Sequence, residues 1–256
     1  MTAPAATDLD TSAYCLRLGD DALVLGQRLC EWAARSPQIE EDVALLNLAL
    51  DLLGQARSLL TRAGELEGRG RDEDDLAFLR DEPDFTCGLL FEADGGDFGR
   101  TMARQLLVSA YAVPLWQGLC SSTDPDLAAI AGKAVKEVTY HLDHARSWVV
   151  RLGDGTEESH RRVQAGLDEV WPYAFELFEA DELLQRLVAR GVAPDPVLLQ
   201  QQWSDTVQEV LAEATLTVPE TDWRPSGGRR GVHTEAFGYL LAELQHVHRS
   251  HPGASW

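Results

Sequence analysis

The sequence predicts an all-α protein, a bundle of long helices with shorter peripheral ones. Apolar residues recur at helical spacing over long segments. A capping residue followed by proline marks helix starts at Ser36-Pro37 and Asp124-Pro125. Strand-like alternation is confined to residues 215–218, too short to build a sheet.

The elements follow in order. A first helix is expected over 14–35, after a flexible lead-in over 1–13. The Ser36-Pro37 start opens a second helix over 38–63, which Gly64 ends. Residues 65–75 are polar and glycine-rich and predict an exposed loop. Short apolar pieces around Pro83 predict one or two brief helices. A third long helix is expected from 97 to 120, kinked near Pro114, and a fourth from 125 to 152, ended by Gly153. Thr156 caps a fifth, with Glu157 and Glu158 at the positive end of its dipole and a stop or bend at Pro172. Further helical segments span 179–190 and 194–215. The stretch 216–231 reads as a long loop, and Thr234 caps a last helix to about 249. The chain is expected to form a single domain over 14–252 with a tail at 253–256. No internal repeat is evident.

Composition excludes several classes. The 256 residues carry 42 Asp plus Glu against 22 Lys plus Arg, a formal charge of −20. That charge argues against nucleic acid and against an anionic membrane surface. No uninterrupted apolar run is long enough to predict a membrane span, and residues 1–12 show no signal-peptide pattern, so a cytoplasmic protein is expected. Cys15, Cys30, Cys87 and Cys120 show no metal-type spacing and read as reduced, packed thiols. No Gly-x-Gly-x-x-Gly string is present.

Two helices carry polar residues on one face. In the second, Asn47, Asp51 and Gln55 fall at i, i+4, i+8. They form either a narrow solvent stripe or an inward polar stripe. In the fourth, Lys133, Glu137, His141 and His144 share a face among apolar neighbours. A Glu with two His on one face suits a metal, and equally a self-satisfied network closed by Lys133. If the helices pair as antiparallel hairpins, Asp51 falls opposite Asp21 or Leu23, and His141 opposite Gln105. This is the skeleton of a di-iron carboxylate bundle, which needs a Glu from each of two helices and Glu-x-x-His from the other two. The set is incomplete. Gly54 stands where the first histidine belongs, His141 where a glutamate belongs, and Gln105 offers an amide. Two true Glu-x-x-His strings, Glu157–His160 and Glu243–His246, sit in charged or terminal turns and read as solvated faces. Glu137 is expected to pair with Lys133 or His141, because a buried carboxylate needs a cation or donors to stay ionised.

Segments 18–29, 41–57, 136–144, 151–160 and 233–243 carry long, idiosyncratic strings, among them Lys136-Glu-Val-Thr-Tyr-His-Leu-Asp-His144. In these the chain resembles the C subunits of bacterial phenylacetyl-CoA epoxidase complexes, nearly end to end. The resemblance implies a ferritin-like four-helix core with added peripheral helices. It also implies a non-catalytic role: no iron at Asp51, Gln105, Glu137, His141 and His144, and neither flavin nor nicotinamide. The implied partners are the di-iron A subunit and the other subunits of the complex; an uncovered pairing face is compatible with a homo-oligomer of the isolated chain, which the sequence leaves open. The competing readings are an active di-iron oxygenase and an unrelated helical scaffold. Outside the resemblance lies a basic island, Arg224, Arg229 and Arg230, which suits CoA phosphates, a partner subunit or plain solvent.

Overall fold

A computed structural model describes residues 5–254. Among these there are ten α-helices, three short 3-10 segments and no strand. The all-α expectation therefore holds. The described residues divide into two compact units, one made of 5–35, 40–94 and 227–254, the other of 36–39 and 95–226.

In the first unit, α1 spans Ala6–Cys30 and α2 spans Ile39–Glu67, entering the unit at Glu40. Helix α1 starts eight residues before the sequence suggests. Its first turns look polar, but Thr11 and Ser12 are buried, and the Ser12 hydroxyl donates to the Ala63 carbonyl at 2.8 Å. It also ends earlier than expected, at Cys30, and Ala34 beyond it takes the left-handed conformation. Helix α2 begins two residues after Pro37, within the usual fraying of helix ends. Glycine sets the approach of the two helices: a Cβ on Gly19 would sit 2.8 Å from Leu60. Leu25, Leu29, Leu45, Leu48 and Leu59 of these two helices are fully buried.

By length and composition alone, α2 is apolar enough to cross a membrane, and 44% of that window is buried inside the protein. Helix α3, Glu73–Phe78, starts on an Asp72 capping box inside the expected loop. Helix α4 is the single turn Leu89–Glu92. The last helix of the chain, α10, spans Glu235–Ser250. Its Phe237, Leu240 and Leu241 are buried, and Gln245 Nε2 donates to the carbonyls of Ala77 and Arg80. Its apolar stripe thus packs inside its own unit.

In the second unit, α5 spans Phe98–Leu119, α6 Pro125–Gly153, α7 Glu157–Val170, α8 Glu182–Ala189 and α9 Pro196–Glu213. Asp97, Asp124, Thr156, Asp181 and Asp195 cap them with side-chain oxygens, and of these the caps at Asp124 and Thr156 are the ones the sequence predicts. Helix α5 packs against α6, α7 and α9 and is buried throughout 101–111. The α5–α7 crossing is made by glycine, since a Cβ on Gly166 would lie 2.4 Å from the Arg100 Cα. Trp203 of α9 donates to the Leu107 carbonyl at 3.0 Å. Helix α7 ends at Val170, close to the stop expected at Pro172, and residues 171–178 continue as a 3-10 segment with Pro172 in its first turn.

Candidate functional site

The residues singled out in the sequence fall in both units. Asp51 is half-buried on α2, in the first. Gln105 on α5 and Glu137, His141 and His144 on α6 belong to the second. There Gln105 is buried, and its Oε1 has no hydrogen-bond partner. His141 is buried, His144 is half-buried, and the Tyr140 ring lies 6.4 Å from the His144 ring, both measured at centroids. Lys133 Nζ lies 3.5 Å from Glu137 Oε1, the pairing expected from the sequence. Its character differs from expectation: the Lys133 side chain is 75% exposed, so the pair sits at the surface end of that face. Within the second unit, Gln105 offers an amide and His141 an imidazole, where the di-iron pattern asks for carboxylates and Glu-x-x-His pairs.

The densest buried chemistry lies elsewhere, in the first unit, and the sequence reading passed over it. Asp20 and Asp21 are adjacent on α1, and both are buried. Asp20 takes a two-nitrogen grip from the buried Arg80, with Nη1 at 3.1 Å, and accepts from the Thr86 amide at 2.8 Å and its hydroxyl at 3.1 Å. The Arg80 guanidinium also lies 4.0 Å over the Phe85 ring. Asp21 is held by Arg229, Nη1 to Oδ1 at 2.8 Å and Nη2 to Oδ2 at 2.9 Å, and by the Gly88 amide at 2.9 Å. Burial pushes the Asp21 carboxyl up to about 6, against the pull of the Arg229 guanidinium.

The third carboxylate is Glu92 at the end of α4. His233 Nδ1 lies 2.6 Å from its Oε2, the Thr234 amide donates to its Oε1 at 2.6 Å, and Arg28 Nε donates to its backbone carbonyl at 2.9 Å. His233 Nε2 donates to the Phe85 carbonyl at 3.0 Å, which leaves Nδ1 facing Glu92. Burial pulls the imidazole down, but the hydrogen bond and charge of Glu92 outweigh it, so its pKa is raised. Cys87 Sγ completes the cluster, 3.8 Å from Glu92 Oε2 and 4.0 Å from His233 Nδ1. These three donor atoms lie within the mutual reach of a metal ligand set. Their engagement points the other way. Nδ1 and Oε2 are already in direct hydrogen-bond contact, and burial and the neighbouring carboxylate push the Cys87 thiol well above its ordinary range. A metal ligand has to be the thiolate.

The network also corrects the basic-island reading. Arg229 neither reaches outward to CoA phosphates nor sits in solvent; its two terminal nitrogens are spent on Asp21 and the Thr86 carbonyl. Arg224 stacks 4.1 Å over the Phe175 ring in the second unit, and Arg230 is exposed. His160 is likewise more than a solvated helix end, because its Nδ1 lies 2.7 Å from the Gly153 carbonyl and closes α6. Glu243 and His246 are exposed, while His248 stacks on Phe78 at 5.0 Å. All four cysteines are free, and Cys120 is exposed rather than packed.

The comparisons with known proteins agree with this architecture. The C subunit of the 1,2-phenylacetyl-CoA epoxidase of Escherichia coli (strain K12) is 48% identical over 245 residues, covering 96% of this chain and 98% of that protein. A Synechococcus protein with aldehyde deformylating oxidase activity superposes with a TM-score of 0.57 over 96% of this chain and 100% of its own, at 18% identity. That likeness concerns the fold alone, and the fold is ferritin-like and all-α. The pattern of the phenylacetic acid catabolic proteins matches residues 1–256, and the chain belongs to that family.

Proposed function

We propose that the chain is a non-catalytic, ferritin-like subunit of a phenylacetyl-CoA epoxidase complex, paired with a di-iron catalytic subunit in the cytoplasm. The observation that carries this reading is the incomplete ligand set, Gly54, Gln105 and His141, on a chain 48% identical to an epoxidase C subunit. Gln105 supports it further, since a buried amide oxygen without a hydrogen-bond partner stands on a helix where a di-iron bundle needs a carboxylate. So does Glu137, whose charge is met by Lys133 on its own helix. The chain binds neither iron, flavin nor nicotinamide. Its contribution is to bury surface against the catalytic subunit and hold that subunit in its active form by mass action.

The test is reconstitution of the epoxidase with and without this chain. Epoxide is expected only when the di-iron subunit is present, and in full yield only when this chain is present too. Product from this chain and a reductase alone would overturn the proposal. Full activity of the remaining subunits in its absence would do the same.

A further inference from the structure

The second unit carries an open cleft of about 680 Å³ between the end of α7, the 3-10 segment at 171–178 and the chain at 219–223. Its walls are held in place. Gln164 of α7 takes the Thr217 amide on Oε1 at 2.8 Å and gives Nε2 to the Thr217 carbonyl at 3.0 Å, which fastens the loop to the helix. Thr221 Oγ1 accepts from the Trp223 amide at 3.1 Å, and Pro172 and Pro219 stiffen the lining backbone. Tyr173 and Trp223 meet edge to face, 5.5 Å apart at their centroids. Such a contact covers at most one face of one ring, and Trp223 stays 58% exposed. A large aromatic ring open to solvent on the wall of a cleft is the usual mark of a binding surface.

Charge and ring chemistry name the ligand. Three carboxylates line the cleft, Asp168, Glu169 and Glu220, against one guanidinium, that of Arg100. Arg100 Nε is 3.1 Å from Glu169, and Asp168 accepts from Gln164 Nε2 at 2.8 Å, so those groups are engaged. Glu220 is exposed and meets no cation or donor among the described residues. The balance repels an anion. Among the described residues the three carboxylates do not converge within the reach of one metal ion, which leaves an extended organic cation. An open aromatic face beside a carboxylate suits a guanidinium, which stacks flat on a ring and offers a fork of N–H donors to the acid. The same surface already makes such a contact: Arg224, which does not line the cleft, lies 4.1 Å over Phe175, two residues from Tyr173. We infer that the cleft binds a guanidinium group on an apolar stem, with the cation over Trp223 and its N–H donors on Glu220.

The experiment titrates agmatine, a guanidinium on a butylamine stem, into the native full chain and follows the Trp223 indole N–H resonance. A saturable shift is expected, with sodium chloride at matched ionic strength giving none. Putrescine, the same stem with an ammonium in place of the guanidinium, should bind at least about tenfold more weakly. By calorimetry, Glu220→Gln, which keeps the shape, should weaken agmatine about three- to tenfold, and Trp223→Ala about tenfold. No saturable shift up to about 10 mM agmatine, equal binding of putrescine, or undiminished binding in both variants overturns the inference. The assembled complex identifies the source of the group, and either source bears the site out. Weaker assembly of Trp223→Ala with the di-iron subunit assigns it to an arginine of that subunit. Unchanged assembly, with agmatine still bound, assigns it to a free small cation. Unchanged assembly that shuts agmatine out overturns the inference. A native chain that fails to bind the di-iron subunit counts against the subunit role alone, because the agmatine titration is made on the chain by itself.

Discussion

His233 Nδ1 lies 2.6 Å from Glu92 Oε2, with both side chains sealed from solvent. The contact ties the turn α4 to the first residues of α10, because the other oxygen of Glu92 receives the amide of Thr234, the residue that precedes α10. A carboxylate there also faces the positive end of the α10 dipole. Arg28 ties the same turn to α1 and to the Ala236 carbonyl. The chain's last segment is thus held to its first helix through buried charge.

Breaking that contact leaves a charge buried without its partner. Glu92→Gln and His233→Gln should each destabilise the fold by roughly 3–5 kcal/mol, read from urea unfolding midpoints at pH 7. A loss under about 1 kcal/mol in both would show that the pair contributes little.

The pair also predicts a direction with pH. The His233 pKa is raised in the fold, so its stabilisation is complete below about 6.5, the unfolded value, and is lost as pH rises through the higher folded value. The advantage of the native chain over His233→Gln should therefore shrink between pH 6 and pH 9. Asp21 acts in the same sense lower down. Its carboxyl is raised to about 6, so the fold favours its protonated form and stability falls as pH rises between roughly 4 and 6. Asp21→Asn should flatten that decline, by at most about 3 kcal/mol. Unfolding free energies measured across pH 4–9 check both signs; a gap between native and His233→Gln that widens towards alkaline pH would refute the first.

The three arginines of the basic island should behave differently. Arg229→Met strands Asp21 in the core and should cost several kcal/mol. Arg224→Ala removes an exposed stacking contact on Phe175 and should cost about 0.5–1 kcal/mol. Thermal melts of the two variants, side by side, distinguish a structural Arg229 from a surface one.

Helix starts were legible where capping chemistry is local: Asp124 and Thr156 cap α6 and α7 as expected, whereas Thr234 stands at the start of α10 without making the side-chain cap expected of it, the Thr234 amide being held by Glu92 instead. The polar face of α6 was legible too, because its spacing lies within one helix. The Asp20–Arg80, Asp21–Arg229 and Glu92–His233 pairs were not, since each joins residues at least 60 positions apart that no periodicity relates. A local signal did exist. Asp20 and Asp21 interrupt an apolar run in α1, and Glu92 follows three apolar residues. A charge inside such a run either faces water or has a buried partner, and only tertiary structure says which.

Lys133 shows how exposure sets magnitude. Its pairing with Glu137 follows from i, i+4 spacing, and a buried pair would make Lys133→Met costly. At 75% exposure the lysine stays hydrated, so the variant should lose no more than about 0.5 kcal/mol by chemical denaturation. A loss above 2 kcal/mol would mean that the pair is buried in solution.

Two glycines should give effects of opposite sign. Gly132 lies exposed in the interior of α6, and a Cβ there meets nothing within 4 Å. Alanine restores helix propensity and narrows the unfolded ensemble, so Gly132→Ala should stabilise by about 0.5–1 kcal/mol. Gly166 lies in α7, where a Cβ would stand 2.4 Å from the Arg100 Cα and 2.7 Å from its backbone nitrogen. Those atoms belong to the backbone of α5 and cannot rotate away, so the two helices must part. Helix α5 is the buried centre of its unit, and separation there opens contacts along 101–111. Gly166→Ala should therefore destabilise despite its better helix propensity, by at least about 1–3 kcal/mol, the usual cost of overpacking a core. Calorimetric melting of both variants provides the check. A raised melting temperature for Gly166→Ala would show that α5 and α7 do not approach as closely as described.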